Sequence, residues 1–201
     1  MLEGDSGEYE FLTEAVEMSK DVPGMCVEIG LRRGLGTKTI IDAVREFCPA
    51  KTVIAIDPYG SIPYIGREHM GECRLDYTNQ MKADCMADIW AYVRDNPVDF
   101  KYFDMTDEEY FGRFGDYVPH YDVYVNAKFN YSMVHLDGPH TVWHICNEVA
   151  WFNKRMLEGA TIVVDDVTID FVDIAPINRM FKSIGWELVK EGLKKNIYVK
   201  H

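Results

Sequence analysis

The fold is decided by a stretch near the N-terminus that reads Met25-Cys26-Val27-Glu28-Ile29-Gly30-Leu31-Arg32-Arg33-Gly34-Leu35-Gly36-Thr37. Its first five residues are apolar except for Glu28, which is typical of a short buried strand. Three glycines follow that strand, and Ile40, Ile41 and Val44 then recur at helical spacing. A strand, a glycine-bearing turn and a helix in this order predict the first unit of an α/β fold.

The alternation of strands and helices continues along the chain. Further apolar runs predict buried strands at 52–56, 100–103, 131–136 and 161–164. Helical spacing predicts helices over 7–20, 77–95, 107–115, 140–157 and 172–184, and residues 186–190 and 196–200 form a predicted hairpin with Lys194-Lys195 in its turn. We therefore predict one α/β domain over residues 1–201, with a seven-stranded, mostly parallel sheet, helices on both faces and a C-terminal antiparallel hairpin.

Three segments lie outside the repeating strand and helix pattern. Residues 1–20 provide a lead-in helix before the first strand. The 116–130 segment is a predicted insertion, because Tyr121–Lys128 alternates like a strand but comes directly before the strand at 131–136. Residues 58–76 are predicted to be irregular.

The composition excludes several classes of protein. The net charge of −12 disfavours nucleic acid as a partner, because such binding depends on Lys and Arg neutralising phosphates. No apolar run approaches the roughly 18–20 residues of a membrane helix, and Met1–Tyr9 lacks the basic start and apolar core of a signal peptide. We therefore expect a cytoplasmic protein without nucleic-acid or membrane partners. The five cysteines show no CxxC spacing, so neither a disulfide framework nor a zinc-thiolate site is predicted.

The glycine turn carries the first functional signal. Gly30, Gly34 and Gly36 allow the backbone to approach a ligand closely, and Asp57 ends the next strand, where an acid can bind ribose hydroxyls. The spacing is neither GxGxxG nor GxxxxGK[ST], the patterns that cradle a diphosphate. The turn therefore favours a cofactor with ribose and adenine but no diphosphate, such as S-adenosylmethionine. The alternative is a tight turn followed by a solvated Asp.

Acidic residues follow the fourth and fifth predicted strands. Asp137-Gly138-Pro139-His140 comes after the fourth strand, and Asp165-Asp166 comes after the fifth. Carboxylates at such strand ends project into the crevice where α/β folds bind ligands. Three carboxylates and an imidazole suit a hard divalent cation with a nearby base. The alternatives are helix capping by Asp137 and His140, a solvated strand end, and a zinc site formed by His140 and His144.

The motifs also resemble a known family when they are taken together. They are Val27–Thr37, Ile56-Asp57, Leu136–His140 and Gly159–Asp166. In this order, over about residues 25–167, they resemble the Rossmann-type methyltransferases, and in particular the metal-dependent branch that includes macrocin and mycinamicin sugar O-methyltransferases. The resemblance implies a Rossmann-like fold.

The resemblance implies a role for each candidate residue. The methionine part of S-adenosylmethionine would be held by Glu28 and by Gly30, Gly34, Gly36 and Thr37 of the turn, the ribose by Asp57, and the adenine by Asp104 and Met105. Magnesium or another divalent cation would be held by Asp137, Asp165 and Asp166, and His140 would act as the catalytic base beside Asp137.

The predicted function is transfer of a methyl group from S-adenosylmethionine to a hydroxyl of a sugar or other vicinal diol, assisted by magnesium. The alternatives are a catechol-type O-methyltransferase acting on a small molecule and a non-catalytic cofactor-binding or interaction module on the same fold. The 58–76 loop is a candidate lid, and the 116–130 insertion would shape the pocket of the small-molecule acceptor. The N-terminal helix and the insertion are the candidate contacts of a homo-oligomer.

Overall fold

A central sheet organises the protein in the computed structural model, which describes residues 2–4, 6–60, 62–65, 67, 71–74, 77–115, 118–168, 170 and 172–201. The strands are β1 (Met25–Ile29), β2 (Thr52–Ile56), β3 (Pro63–Tyr64), β4 (Cys73–Arg74), β5 (Asp99–Phe103), β6 (His120–Tyr121), β7 (Ala127–Lys128), β8 (Tyr131–Leu136), β9 (Met156–Val164), β10 (Trp186–Glu191) and β11 (Asn196–Lys200). The helices are α1 (Glu10–Met18), α2 (Leu35–Phe47), α3 (Asn79–Asp95), α4 (Asp107–Arg113), α5 (Val142–Asn153) and α6 (Ile174–Ser183).

The central sheet has seven strands in the order β10-β11-β9-β8-β1-β2-β5. Strands β9, β8, β1, β2 and β5 run parallel, whereas β11 is antiparallel to both β9 and β10. This arrangement confirms the predicted α/β sheet and its closing hairpin. The chain progresses outward from β1 in both directions, so the carboxyl ends of β1, β2 and β8 border the crevice where such sheets bind ligands.

Helices cover both faces of the sheet. On one face, α1, α2 and α3 bury apolar side chains such as Leu12, Val44 and Ile89. On the other face, α5 and α6 bury side chains such as Phe152 and Phe181. Strands enclosed in this way are apolar throughout, which explains why their positions could be predicted from apolar runs. In the part of the chain that the structure describes, none of the helices combines the length and apolar character needed to cross a membrane.

The segment after β8 differs from the prediction at both ends of its helix. Helix α5 begins at Val142, because the Thr141 hydroxyl accepts a hydrogen bond from the backbone N–H of His144 at 3.2 Å and caps the helix. His140 therefore lies in the preceding loop and not on the first helical turn. The helix ends at Asn153 and not at the predicted residue 157. Gly159 lies within β9 with φ of 82°, where the pairing with β8 shifts register.

The predicted insertion forms a small hairpin outside the central sheet. Strands β6 and β7 pair with each other, so Tyr121–Lys128 is not the single strand that its alternation suggested. The Asp122 carboxylate accepts hydrogen bonds from the backbone N–H groups of Tyr124 and Asn126, both at 2.9 Å, and turns the chain. Residues 116 and 117 of the insertion, and residues 61, 66, 68–70, 75 and 76 of the candidate lid, lie outside the described residues, and the lid stays a prediction.

Candidate active site

Backbone hydrogen bonds align the predicted site residues along one edge of the sheet. Asp57 N–H donates to the carbonyl of Phe103 at 3.2 Å, and Gly30 N–H donates to that of Ile56 at 2.9 Å. In the same way, the backbone N–H of Asp137 donates to the carbonyl of Ile29 at 2.9 Å, and that of Asp165 donates to the carbonyl of Leu136 at 3.0 Å. Each residue after a strand is thus tied to the last residue of the neighbouring strand. The glycine turn and the acidic residues of three other strands consequently share one edge.

The glycine turn is closely packed against its neighbours. Gly30 has φ of 88°, and a Cβ atom there would lie 2.1 Å from the carbonyl oxygen of Asp137. Gly34 has φ of 81° at the N-cap of α2. Positive φ angles and this close approach require glycine at both positions, because a side chain would be strained or would displace backbone. The predicted turn therefore brings the end of β1 against the Asp137 loop.

Glu28 lies beneath the turn and is 1% exposed. Its carboxylate accepts a hydrogen bond from the Thr37 hydroxyl, and a Cβ atom on Gly36 would lie 2.0 Å from Glu28 Oε1. The Glu28 carboxylate therefore faces the first turn of α2 and fixes the glycine turn from below. Contact between Glu28, Thr37 or the glycines and a cofactor stays a prediction.

The two acids predicted to bind ribose and adenine differ in their surroundings. Asp57 is 5% exposed and accepts backbone N–H hydrogen bonds from Leu31 at 2.8 Å, Arg32 at 3.2 Å and Tyr59 at 2.9 Å. Burial raises the pKa of Asp57, although these three donors oppose the shift. The Asp57 carboxylate thus joins the end of β2 to the glycine turn.

Asp104 lies at the end of β5 and is half exposed. Its carboxylate accepts a hydrogen bond from Lys82 Nζ of α3 at 2.7 Å. Met105, the next residue, packs partly buried against the core. Both residues lie at the predicted edge of the sheet, and their contact with adenine stays a prediction.

A buried row of ionic side chains runs under the site from β1 to β11. His135 of β8 is completely buried, with Nδ1 3.0 Å from Glu28 Oε1 and Nε2 3.6 Å from Asp165 Oδ2. Burial disfavours a charged imidazole, but hydrogen bonding and attraction from the two carboxylates raise the pKa of His135. We call the row Glu28, His135, Asp165 and Lys195 the buried ionic row.

The row ends in a buried pair between Asp165 and Lys195, both 0% exposed. Lys195 Nζ donates to the Asp165 carboxylate and, at 3.0 Å, to the Ser6 hydroxyl, which donates to Asp165 Oδ1 at 3.1 Å. The backbone N–H of Asp166 donates to the same Asp165 oxygen at 2.7 Å. Burial would raise the pKa of Asp165, but His135 and Lys195 hold it well below its usual range.

Three partly exposed side chains lie beside the buried row. His140 Nε2 is 3.5 Å from Asp166 Oδ2 and 3.8 Å from Asp137 Oδ1, and the three side chains are 12%, 17% and 25% exposed, respectively. Burial lowers the pKa of His140 although Asp166 attracts its proton. Burial and repulsion from Asp165 raise the pKa of Asp137 well above its usual range. A neutral imidazole can accept a proton, so this cluster suits general-base chemistry.

The structure does not gather the three carboxylates that were predicted to hold a metal. Within the described ranges, the group of three potential metal ligands whose atoms all lie within 4.8 Å of one another consists of Glu28, His135 and Asp137. Asp165 is not part of this group, although its Oδ2 lies 3.6 Å from His135 Nε2, and its oxygens bind Lys195, Ser6 and the backbone of Asp166. Of the predicted metal ligands, Asp137 and Asp166 lie 3.8 and 3.5 Å from His140 Nε2, and Asp165 pairs with Lys195.

Of the five described residues other than glycine that have a positive φ angle, three lie at this edge. Arg32 in the glycine turn, Tyr59 after β2 and Asp166 after β9 have φ angles of 46°, 48° and 49°. Such left-handed conformations are uncommon for residues other than glycine and persist where the surrounding structure enforces them. Their position beside the turn and the acidic cluster supports a functional role for this edge.

Sequence reasoning missed the role of Lys195 and Ser6. Lys194-Lys195 was interpreted as a hairpin turn, yet Lys195 is buried against Asp165, thirty residues away along the chain. His135 lies in the predicted buried strand at 131–136, but its position between two carboxylates was not predicted. A polar residue inside an apolar strand, such as Glu28 or His135, was the available signal.

The fold has counterparts among solved structures. The calicheamicin methyltransferase CalS11 is 10% identical, with a TM-score of 0.68 over 95% of this chain and 77% of that chain. Another structure of CalS11 describes it as a TDP-rhamnose 3'-O-methyltransferase. The O-methyltransferase NovP is 17% identical, with a TM-score of 0.61 over 96% of this chain and 78% of its own. An O-methyltransferase from Bacillus cereus in complex with SAH is 12% identical, with a TM-score of 0.60 over 99% and 83%.

The sequence comparisons give a family and no individual relative. No curated protein matches the chain. Residues 27–167 match the family described as a methyltransferase domain, a span that begins in β1 and ends just after Asp165-Asp166. The match includes the glycine turn, Asp57, the loop that carries Asp137 and His140, and the end of β9. The chain therefore belongs to the methyltransferase-domain family.

Proposed function

We propose that this chain transfers a methyl group from S-adenosylmethionine to a hydroxyl of a small-molecule sugar or other vicinal diol. The observation that carries the proposal is His140, an imidazole with a lowered pKa that lies between two carboxylates at the ligand-binding edge of a methyltransferase fold. The fold similarity to CalS11, described as a TDP-rhamnose 3'-O-methyltransferase, supports a sugar as methyl acceptor. The complex of the Bacillus cereus enzyme with SAH, the demethylated cofactor, supports S-adenosylmethionine.

In the proposed reaction, the hydroxyl oxygen of the methyl acceptor attacks the methyl carbon of the sulfonium. The new O–CH3 bond forms as the S–CH3 bond breaks, and S-adenosylhomocysteine leaves. His140 accepts the hydroxyl proton at Nε2, and the neighbouring Asp137 and Asp166 carboxylates stabilise the resulting imidazolium. Glu28 and Asp57 fix the glycine turn against which the cofactor would bind.

The side chains present fit a magnesium ion in part. Asp137 and Asp166 offer carboxylates to the partly exposed cluster beside His140. Magnesium prefers such oxygen ligands. Asp165 does not fit, because its oxygens are already bound within the protein. When bound at Asp137 and Asp166, the ion would supply Lewis-acid polarisation of the acceptor hydroxyl.

The test is a methyl-acceptor panel with S-adenosylmethionine, in which products are detected by mass spectrometry. We expect methylation of nucleotide sugars or other vicinal diols. His140→Gln should lower turnover by about 10²–10⁴-fold and leave cofactor affinity unchanged, because it removes only the base. His201→Gln is the matched control, because His201 is exposed and pairs with Glu187 at the end of the chain.

Each alternative has its own outcome in the same panel. Methylation of catechols alone would favour a catechol-type enzyme. Cofactor binding without methylation of any hydroxyl would favour a non-catalytic module. If calorimetry detects no binding of S-adenosylmethionine, both the cofactor assignment to the glycine turn and the proposed methyl transfer are overturned.

A further inference from the structure

We infer that the buried ammonium group of Lys195 takes the place of a metal ion at the Asp165 carboxylate, so that a divalent ion binds through Asp137 and Asp166 and not through all three carboxylates. The inference deepens the proposed function, since it rests on the proposed cation site beside His140. It assigns to Lys195 the charge compensation that a metal would otherwise supply at Asp165.

The contacts of the Lys195 ammonium group are those of an occupied cation site. The group is completely buried, donates to Asp165 and Ser6, and lies 5.1 Å from the centre of the Tyr9 ring. A buried ammonium is costly unless charge and hydrogen bonds compensate it, and here a carboxylate, a hydroxyl and an aromatic face do so. The same contacts use both oxygens of Asp165, since Ser6 and the backbone of Asp166 bind Oδ1 and Lys195 binds Oδ2.

The fold holds Lys195 in this position through its backbone. Asn196 pairs with Val164 in the antiparallel ladder between β11 and β9. Lys195, directly before β11, and Asp165, directly after β9, therefore lie opposite each other. The Glu8 carboxylate accepts hydrogen bonds from the backbone N–H groups of residues 193, 194 and 195, at 2.8, 2.8 and 2.9 Å. The hairpin turn is thereby tied to the segment before α1, and the Lys195 ammonium is built into the site.

Lys194, the residue before Lys195, differs from it in solvent exposure. Its side chain is 39% exposed and its Nζ lies 3.5 Å from Asp166 Oδ1. A half-exposed lysine can turn into solvent at low cost, so it leaves Asp166 available to a divalent ion. The buried Lys195 cannot do so without exposing Asp165 and breaking the bond to Ser6. The two lysines therefore divide the adjacent aspartates into one that is available and one that is occupied.

The test measures Mg²⁺ binding by calorimetry in the purified chain, together with the midpoint of thermal unfolding with and without Mg²⁺. Lys195→Met frees Asp165 and should raise Mg²⁺ affinity by about tenfold or more, because a third carboxylate joins the site. Mg²⁺ should also raise the unfolding midpoint of this variant more than that of the wild type, because the ion replaces the missing positive charge. Neither readout requires a methyl acceptor.

Two further variants separate this explanation from a general effect of charge. Lys195→Met combined with Asp165→Asn removes both partners and should return Mg²⁺ affinity to within about threefold of the wild type. Lys190→Met removes one positive charge from the same hairpin, where Lys190 pairs with Glu14, and should leave Mg²⁺ affinity unchanged. Lys195→Gln repeats the measurement with a polar side chain if Lys195→Met does not fold.

The outcomes distinguish this inference from the proposed function. Tighter Mg²⁺ binding by Lys195→Met that is lost in the double variant supports the inference, even if no methyl acceptor is found and the proposed function fails. A wild type that binds no Mg²⁺ overturns the part of the inference that places the ion at Asp137 and Asp166. Equal affinity in the wild type and in Lys195→Met overturns the inference. The same conclusion follows if Lys195→Met and Lys195→Gln are both unfolded and Mg²⁺ does not restore their folding.

Discussion

Two buried histidines in this molecule have opposite surroundings. His135, in the buried ionic row, lies between Glu28 and Asp165, and these carboxylates raise its pKa. His120, in β6 of the predicted insertion, is 5% exposed and stacks against Phe114 with ring centres 4.1 Å apart. Burial lowers the pKa of His120 to about 4. The same side chain is thus stabilised as a cation in one region and as a neutral ring in the other.

The difference lies in what compensates each ring. His120 Nε2 is 2.7 Å from the hydroxyl of Tyr110, which in turn is 3.0 Å from the hydroxyl of Tyr131, so the ring has a neutral partner. This network fastens the insertion to the core. His135 has charged partners that also touch the glycine turn and the Lys195 pair. Burial alone therefore says little about function, whereas burial among charges identifies the region that supports the site.

The largest expected effect separates the two histidines by stability. His135→Phe leaves Glu28 and Asp165 without the imidazole and should lower the free energy of unfolding by about 3–5 kcal/mol, as when one partner of a buried ion pair is removed. His120→Phe loses one neutral hydrogen bond in an aromatic cluster and should cost about 1 kcal/mol. Urea unfolding at pH 7 measures both values. Equal costs would contradict the distinction between the two regions.

The pH dependence of stability tests the neutral state of His120. The folded pKa of about 4 lies below the unfolded value of about 6.5, so the unfolded chain binds more protons between these pH values. The stability that neutral His120 contributes is therefore complete above pH 6.5 and is lost as the pH falls towards 4. The wild type should lose about 3 kcal/mol more than His120→Phe over this range. Parallel pH profiles for the two proteins would contradict this prediction, because they would mean that folding does not lower the pKa of His120.

The smallest expected effect concerns two glycine substitutions. Gly36→Ala places a Cβ atom 2.0 Å from Glu28 Oε1 and should cost about 1–3 kcal/mol, because the buried carboxylate must move away from Thr37 and His135. Gly112→Ala in α4 is the matched control, since nothing lies within 4 Å of the added Cβ. It should stabilise the protein by about 0.5–1 kcal/mol through helix propensity. Thermal unfolding compares both variants, and a neutral Gly36→Ala would show that Glu28 can move freely.

Particular elements show how far sequence reasoning reached. The bounds of β1, β2 and β8 were predicted as the structure has them, because buried parallel strands are apolar throughout. The start of α4 at residue 107 was also predicted, and Thr106 and Glu109 form a complete capping box there. The start of α5 was predicted too early. The prediction placed the helix start before Thr141, whose hydroxyl sets the observed one.

The sequence predicted the edge of the sheet at which the candidate site lies, but not which side chains of the site pair with each other. Asp57, Asp104, Asp137 and Asp165 each follow a parallel strand, so their common edge follows from strand order alone. The pairing of Asp165 with Lys195 depends on β11 inserting beside β9, and two residues that are 30 positions apart carry no local signal of that contact.

The sequence by itself determined the order of strands and helices, the position of the glycine turn and the appearance of carboxylates after successive strands, because these depend on periodicity and on neighbouring residues. Only the tertiary structure decided which of those carboxylates is already bound within the protein and which is available to a ligand. That property depends on burial and on partners contributed by distant segments: Lys195 and Ser6 for Asp165, and His140 for Asp166. Electrostatic energy depends on distance in space and on solvent exposure, and chain order fixes neither.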